Sequence, residues 1–276
     1  MRLIHFACFA ALAAFLLPAA VFGVDGVILI DQNKALAGNV TPGDTPGFPV
    51  TISQPGSYRL DSNLTVPDVN TTAIVIAADN VTIDLNGFAI LGNNVCAFVS
   101  INGSISFSCI PGGGVGHSTG NGIMTAINQA HSNITIRNGT IQGMGAYGVD
   151  LVGRSLLVEQ MHVTSNGDDG ILADNAVVKD NIVQSNGGYG INLTSGIVSR
   201  NWTSANGGAG IAILEGTVVS NFSKNNQYGL FIFSASTAVS YIGNVLVDNI
   251  LGSVSAGGVN LGQNLCNAGA CPGAQF

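Results

Sequence analysis

The stretch NGGYGINL, residues 186–193, decides the fold, because it is one line of a repeat. Twenty residues earlier stands NGDDGIL (166–172), and twenty later NGGAGIAIL (206–214). Asn recurs at Asn166, Asn186, Asn206 and Asn226, and in a second column at Asn181, Asn201 and Asn221. Gly170, Gly190 and Gly210 are each followed by Ile, at Ile171, Ile191 and Ile211. A Val column runs through Val158, Val178, Val198 and Val218. Fixed-period self-similarity of this length is the signature of a repeat architecture.

Each line carries three short pieces that alternate inward and outward as strands do. Asn and Gly divide the pieces, and both tolerate the left-handed backbone of a sharp corner. Three short strands cannot bury their apolar side alone. Stacked coils can, each strand pairing with its copy above and below at about 4.7–4.9 Å. The Val and Ile columns then become continuous inner rows. The Asn columns become amide ladders, which stabilise stacked strands. The reading is an all-β parallel solenoid with three short strands and about 20 residues per coil. No leucine-rich line, hexapeptide period or recurring calcium-binding nonapeptide is present.

The composition agrees. Charged residues are 8% of the 276, against an average near 25%. Glycines number 38. The net charge of −7 argues against nucleic acid and anionic membranes as partners. Residues 1–23 have one basic residue, Arg2, then an apolar run broken by Pro18 and ending near Gly23. This is the pattern of a secretory signal peptide rather than a span. The expected location is secreted or periplasmic, with no membrane insertion after cleavage. Removing Cys8 leaves Cys96, Cys109, Cys266 and Cys271, which in an oxidising compartment predict the disulfides Cys96–Cys109 and Cys266–Cys271. No His stands near either pair to suggest a metal site.

NGGYGINL and NGGAGIAIL, with NVTIDLNGFAI (80–90) and NITIRNGTIQG (133–143) before them, resemble right-handed parallel β-helix proteins of the pectate-lyase-like superfamily. The resemblance covers residues 58–255 and implies a single-stranded right-handed β-helix; fold does not fix activity. Around it, residues 24–57 form an N-terminal segment and cap, with VTISQPGSYRLDSNLTV (50–66) capping the first coil. Residues 93–122 project as a loop pinned by Cys96–Cys109. The period slips at Tyr228, and residues 256–276 form a C-terminal cap or tail.

Charges twenty apart should be stacked neighbours. This arithmetic pairs Arg154 with Asp174, Glu159 with Lys179, and Asp180 with Arg200. Asp168 and Asp169 are left without a base, their later neighbours being Gly188 with Gly208, and Tyr189 with Ala209. Mutual repulsion would be relieved by a bound cation or one raised pKa. The pair is therefore the candidate catalytic and metal site, and a solvated corner is the alternative. The resemblance implies calcium-holding Asp residues and an Arg or Lys base in pectate lyases. In polygalacturonase-type enzymes it implies N-T-D, D-D, G-H-G and R-I-K elements. GDDG (167–170) resembles the second of these. The other three are missing, and Gly116-His117 precedes the pair without the second Gly. Adjacent strand residues also point apart, which weakens an acid–base pair across a sugar bond. No cofactor is implied, calcium being the ion the pair would hold if any.

His131 and His162 read as structural. His162 shares a column with Ile182, Trp202 and Phe222. Facing outward, this column would stack sugar rings, making Trp202 a ligand-binding candidate. Facing inward it is core, and core or half-buried packing is the favoured expectation. Two functions follow. One is a non-catalytic exported scaffold that binds polysaccharide or cell-envelope glycan. The other is a polysaccharide lyase or glycoside hydrolase using Asp168 and Asp169.

Overall fold

The computed structural model describes residues 26–101, 104–110, 118–233, 238–267, 269–271 and 274–275. The signal-peptide reading, Cys8 and His117 lie outside them. Almost every described strand joins one continuous parallel sheet wound into three faces. Face one contains Val50–Ile52, Ile74–Ile76, Ile123–Thr125, Val149–Leu151 and Ile171–Ala173, and continues to Gly252–Val254. Face two includes Val27–Ile30, Gly56–Leu60, Val81–Asp84 and Ala176–Lys179. Face three includes Leu64–Thr65, Ala89–Leu91, Ile182–Gln184, Trp202–Ser204 and Phe222–Lys224.

The inner rows are those the repeat predicts, extended in both directions. Tyr58, Ile83, Ile136, Val158, Val178, Val198, Val218 and Tyr241 stack in register on face two. Val50, Ile74, Ile123, Val149, Ile171, Ile191, Ile211, Leu230 and Val254 do so on face one. All are buried in one core, so each coil covers the apolar edge of its neighbour and burial drives the stacking. The coil length is not constant. Val149 pairs with Ile171 at a spacing of 22, Ile171 with Ile191 at 20, and Ile211 with Leu230 at 19.

Both Asn columns form buried ladders. Asn166, Asn186, Asn206 and Asn226 pass amide hydrogen bonds of 2.9–3.0 Å from coil to coil, and Asn181, Asn201 and Asn221 do the same. The left-handed residue, however, is the one before each ladder Asn. Ser185, Ala205, Asp180 and Arg200 have φ of 56, 53, 59 and 54°. One left-handed residue bends the chain, and the following Asn then points inward and is buried. That position tolerates Ala and Arg, at a cost of about 1–2 kcal/mol per residue, because the ladder fixes the corner.

Three expectations change. The stretch 50–66 is no cap, for its strands form a coil of their own. The strand Val27–Ile30 and the short helix Gln32–Ala37 lie ahead of it. Asp31 caps that helix, its Oδ1 accepting from the Lys34 N–H at 2.8 Å. The Cys96–Cys109 bridge is present, but the described strands of its segment lie against the solenoid. Val95–Ile101 and Ser104–Ile110 pair as an antiparallel hairpin lying on the glycine corners. A Cβ on Gly187 would meet the Gly167 carbonyl oxygen at 2.1 Å and Cys109 Sγ at 3.1 Å. One on Gly207 would meet the Gly187 oxygen at 2.2 Å and the Phe107 ring at 2.9 Å. Glycine there lets successive coils and the hairpin approach together. The second bridge, Cys266–Cys271, is also present.

The third change concerns charge. Lys179 pairs with Glu159 at 3.0 Å, and Arg200 grips Asp180 at 2.7 and 2.8 Å. Arg154 and Asp174 make no such pair. Asp174 accepts the Thr194 hydroxyl at 2.6 Å, and Arg154 acts instead on Asp79, helping to lower its pKa after the larger effects of the Ser132 N–H and His131. Arg154 stacks on Ser132 within a strand, whereas Asp174 sits in the bend before Ala176, so the two diverge.

Candidate functional site

Asp168 and Asp169 occupy the corner that carries the chain from face three to face one. Backbone hydrogen bonds stack Asp168 between Ala146 and Gly188. The same ladder stacks Asp169 between Tyr147 and Tyr189. Later neighbours follow the twenty-residue arithmetic, while the earlier ones come at 22. Tyr147 is therefore the member that a period of twenty conceals.

Asp169 is not a solvated corner. It is 5% exposed. Its Oδ1 accepts the Tyr189 N–H at 2.6 Å and its Oδ2 accepts Asn192 Nδ2 at 2.8 Å. Burial pushes its pKa up to about 7; the two hydrogen bonds oppose this, and nearby Asp168 and Asp150 add to it. Asp168 is half-buried and faces the Tyr147 phenol, and burial raises its pKa while Tyr147 opposes the rise. Asp150, on the outer side of face one, is raised to about 6 by burial and by Asp174. Burial, then the three carboxylates, push Tyr147 to about 12, so it stays a hydroxyl donor at neutral pH.

Both acidic neighbours bend toward one coil. A Cβ on Gly188 would meet Asp169 Oδ1 at 2.3 Å and Asp168 Oδ1 at 2.7 Å. The chain here is a bend rather than a strand, so the divergence expected of strand neighbours does not apply. Among the described residues no Lys or Arg pairs with either carboxylate. Nor does any group of three or more His, Cys, Asp and Glu stand ready to hold a metal. Calcium takes 6–8 oxygen ligands, and each Asp169 oxygen already accepts one hydrogen bond. Beyond the corner, face one carries an aromatic group in which Tyr189 stacks on Phe231 at 6.2 Å and Phe231 meets Phe233 edge-on at 5.2 Å.

A family model described as a right handed beta helix region matches residues 62–219. The chain belongs to this right-handed β-helix family. No curated protein matches it. Among solved structures, this β-helix is similar to the A-module of the Azotobacter vinelandii mannuronan C-5 epimerase AlgE4. The two are 13% identical, with 71% of this chain and 70% of that one covered at a TM-score of 0.40. It is also similar to the Dettilon tailspike protein gp208, at 12% identity and a TM-score of 0.41, with 90% of this chain and 59% of that one covered. At these identities and TM-scores the likeness carries no argument about this chain.

The remaining candidates fall elsewhere on this β-helix. His131 is buried, its Nδ1 3.2 Å from Asp79. The column His162, Ile182, Trp202, Phe222 lies on the outer side of the strands, with His162 and Phe222 half-buried as expected and the other two exposed. Trp202 is 50% and Ile182 47% exposed, while Val163, Val183 and Thr203 turn inward between them and the next outward column. Near the N-terminal coils a hollow of about 510 Å³ lies on face one, lined by Phe48, Pro49, Val75, Met124 and Ile127. It has no charged lining group and stands apart from the acidic corner. Among the described residues no helix is long and apolar enough to cross a membrane.

Proposed function

We propose that this chain is an exported β-helix that binds glycan at the corner formed by Tyr147, Asp168, Asp169 and Asn192, serving as a surface or envelope scaffold. The observation that carries this reading is a cluster of carboxyl, phenol and amide groups at one corner, with no base set against them and aromatic rings alongside. Carboxylates accept sugar hydroxyls, Tyr147 donates or accepts, and aromatic rings take apolar sugar faces. The two disulfides are compatible with an oxidising, extracytoplasmic setting.

The test is affinity electrophoresis of the protein through native gels cast with a panel of polysaccharides. One polymer should retard the protein, and Tyr147→Phe with Asp168→Asn should weaken that retardation at least tenfold. Unchanged retardation in the double variant would remove the corner from the reading.

The second reading, a polysaccharide lyase or glycoside hydrolase, is favoured by the burial that pushes the Asp169 carboxyl up to about 7, where a group can act as acid or base. Incubation with the same polymers, with and without calcium, should release no reducing ends or unsaturated products if the scaffold reading holds. Products that disappear in Asp169→Asn would put catalysis first.

A further inference from the structure

Face three presents two parallel outward columns. One runs His162, Ile182, Trp202, Phe222, Val245 and Leu265 in register. The other runs Gln184, Ser204 and Lys224, continuing from a buried Thr164. From Ile182 to Leu265 the first is apolar through five successive coils, and Leu265 is 52% exposed. The Trp202 and Phe222 rings lie 4.7 Å apart, tilted by 37°. In the second column the Gln184 amide and Ser204 hydroxyl make no side-chain hydrogen bond among the described residues, and Lys224 is neutralised by Asp248 at 3.3 Å.

Four steps between stacked strands make the apolar strip about 20 Å long. It is one side chain wide, well short of the roughly 800 Å² per partner that a stable protein interface needs. A second copy of the chain is therefore a poor occupant. A strip of rings flanked by free hydrogen-bonding groups at a regular spacing suits a different ligand. A pyranose has an apolar C–H face and a hydroxyl rim, and an extended saccharide advances by about one coil spacing per sugar.

We propose that face three is a track for a single chain of neutral polysaccharide running along the solenoid axis. Its sugars stack on Ile182, Trp202 and Phe222, and their hydroxyls reach Gln184 and Ser204. Neutrality follows from the track itself, where Lys224, the one Lys or Arg among the described residues of the two columns, is already paired. The proposal shares the glycan-binding reading above but uses a separate face and a separate readout.

Trp202 is the single tryptophan of the chain, so its fluorescence reports this face directly. Titration of the full chain with cellotetraose and chitotetraose, and with tetragalacturonate as the acidic counterpart, should give a saturable change with a neutral tetrasaccharide. Ile182→Asp and Gln184→Ala, both at exposed or half-exposed positions and so compatible with folding, should each weaken it at least tenfold. Arg137→Gln on face two should leave it unchanged. No response to either neutral tetrasaccharide, or a stronger one to tetragalacturonate, overturns the track. So does a concentration-dependent dimer in sedimentation that Ile182→Asp abolishes, which would make the strip a contact between copies. If gel retardation depends on Tyr147 while Trp202 stays silent, the corner reading survives and the track does not; the converse separates them the other way.

Discussion

Asp169→Asn should make the protein more stable at pH 8, by up to about 4 kcal/mol, and remove much of the pH dependence of its stability. The carboxyl has an ordinary pKa of 3.8 and is raised to about 7 in the fold. Each tenfold change in proton affinity is about 1.4 kcal/mol, which sets that magnitude. The sign follows from linkage. Between pH 4 and 7 the folded chain holds a proton that the unfolded chain has released. Stability therefore falls as pH rises through this window, and the full penalty is present above about pH 7. Below about pH 4 both states are protonated and the penalty vanishes. Asp150, raised to about 6, adds a smaller loss ending about one pH step lower. Asn at 169 keeps an acceptor for the Tyr189 N–H, and a turn of the Asn192 amide restores the second hydrogen bond. Denaturant unfolding at pH 4, 6 and 8 checks this. The two proteins should converge at pH 4 and separate by pH 8. If the wild type loses no stability relative to the variant over that range, Asp169 does not carry the raised pKa. A buried carboxyl that destabilises its own fold at neutral pH is what a functional position looks like, so the same variant connects the fold to both functional readings.

The parts of this site that sequence reading reached are those that obey a period of twenty. From Val158 onward the columns, both Asn ladders, and the Glu159–Lys179 and Asp180–Arg200 pairs are all present as expected. Upstream the coils lengthen to 22 and the hairpin intervenes. Counting back twenty from Asp169 gives Val149, not Tyr147, and the same count sets Asp150 against Gly170, whereas it stacks on Leu172. Two tyrosines separated by 42 residues, Tyr147 and Tyr189, around an acidic residue were the available signal, readable once the longer coil is allowed. Arg154 and Asp174 show the opposite failure. Their spacing is right, but Asp174 lies in a bend, where spacing no longer fixes direction. The Trp202 column failed on a different ground. The face-three strands Ile182–Gln184, Trp202–Ser204 and Phe222–Lys224 have three residues, so two of the three face outward and only the middle one is core. Alternation alone does not say which set is which. The inward set here includes Thr203 and Ser223, both buried, which disguised it as the polar face.

Asn206→Ala should destabilise the protein by about 3–4 kcal/mol, far more than its volume implies. Its Nδ2 donates to Asn226 Oδ1 at 3.0 Å and to the Val183 carbonyl at 3.2 Å. Its Oδ1 accepts from both the backbone N–H and the Nδ2 of Asn186, each at 3.0 Å. Alanine leaves the Asn186 N–H buried without that partner and withdraws a donor from Val183. A buried group left unsatisfied costs about 1–3 kcal/mol, and breaking a chain of polarised amides in mid-run weakens its neighbours too. Asn206→Asp should be worse at neutral pH despite its matching shape. It keeps the acceptor but turns a second oxygen toward Asn226 Oδ1 and the Val183 carbonyl, and it buries a charge without a counterion. At the end of the other ladder, Asn264 is only partly buried and donates to Asn260 and to the Tyr241 and Gly262 carbonyls. Its Oδ1 accepts the Asn244 N–H and Nδ2, each at 2.9 Å, but at this partly buried end water replaces the lost acceptor, so Asn264→Ala should cost about 1 kcal/mol. Urea unfolding of the three variants at pH 7 ranks them. If Asn206→Ala lies within about 1 kcal/mol of Asn264→Ala, stacking of coils rests on the apolar rows alone and the amide ladders are incidental to it.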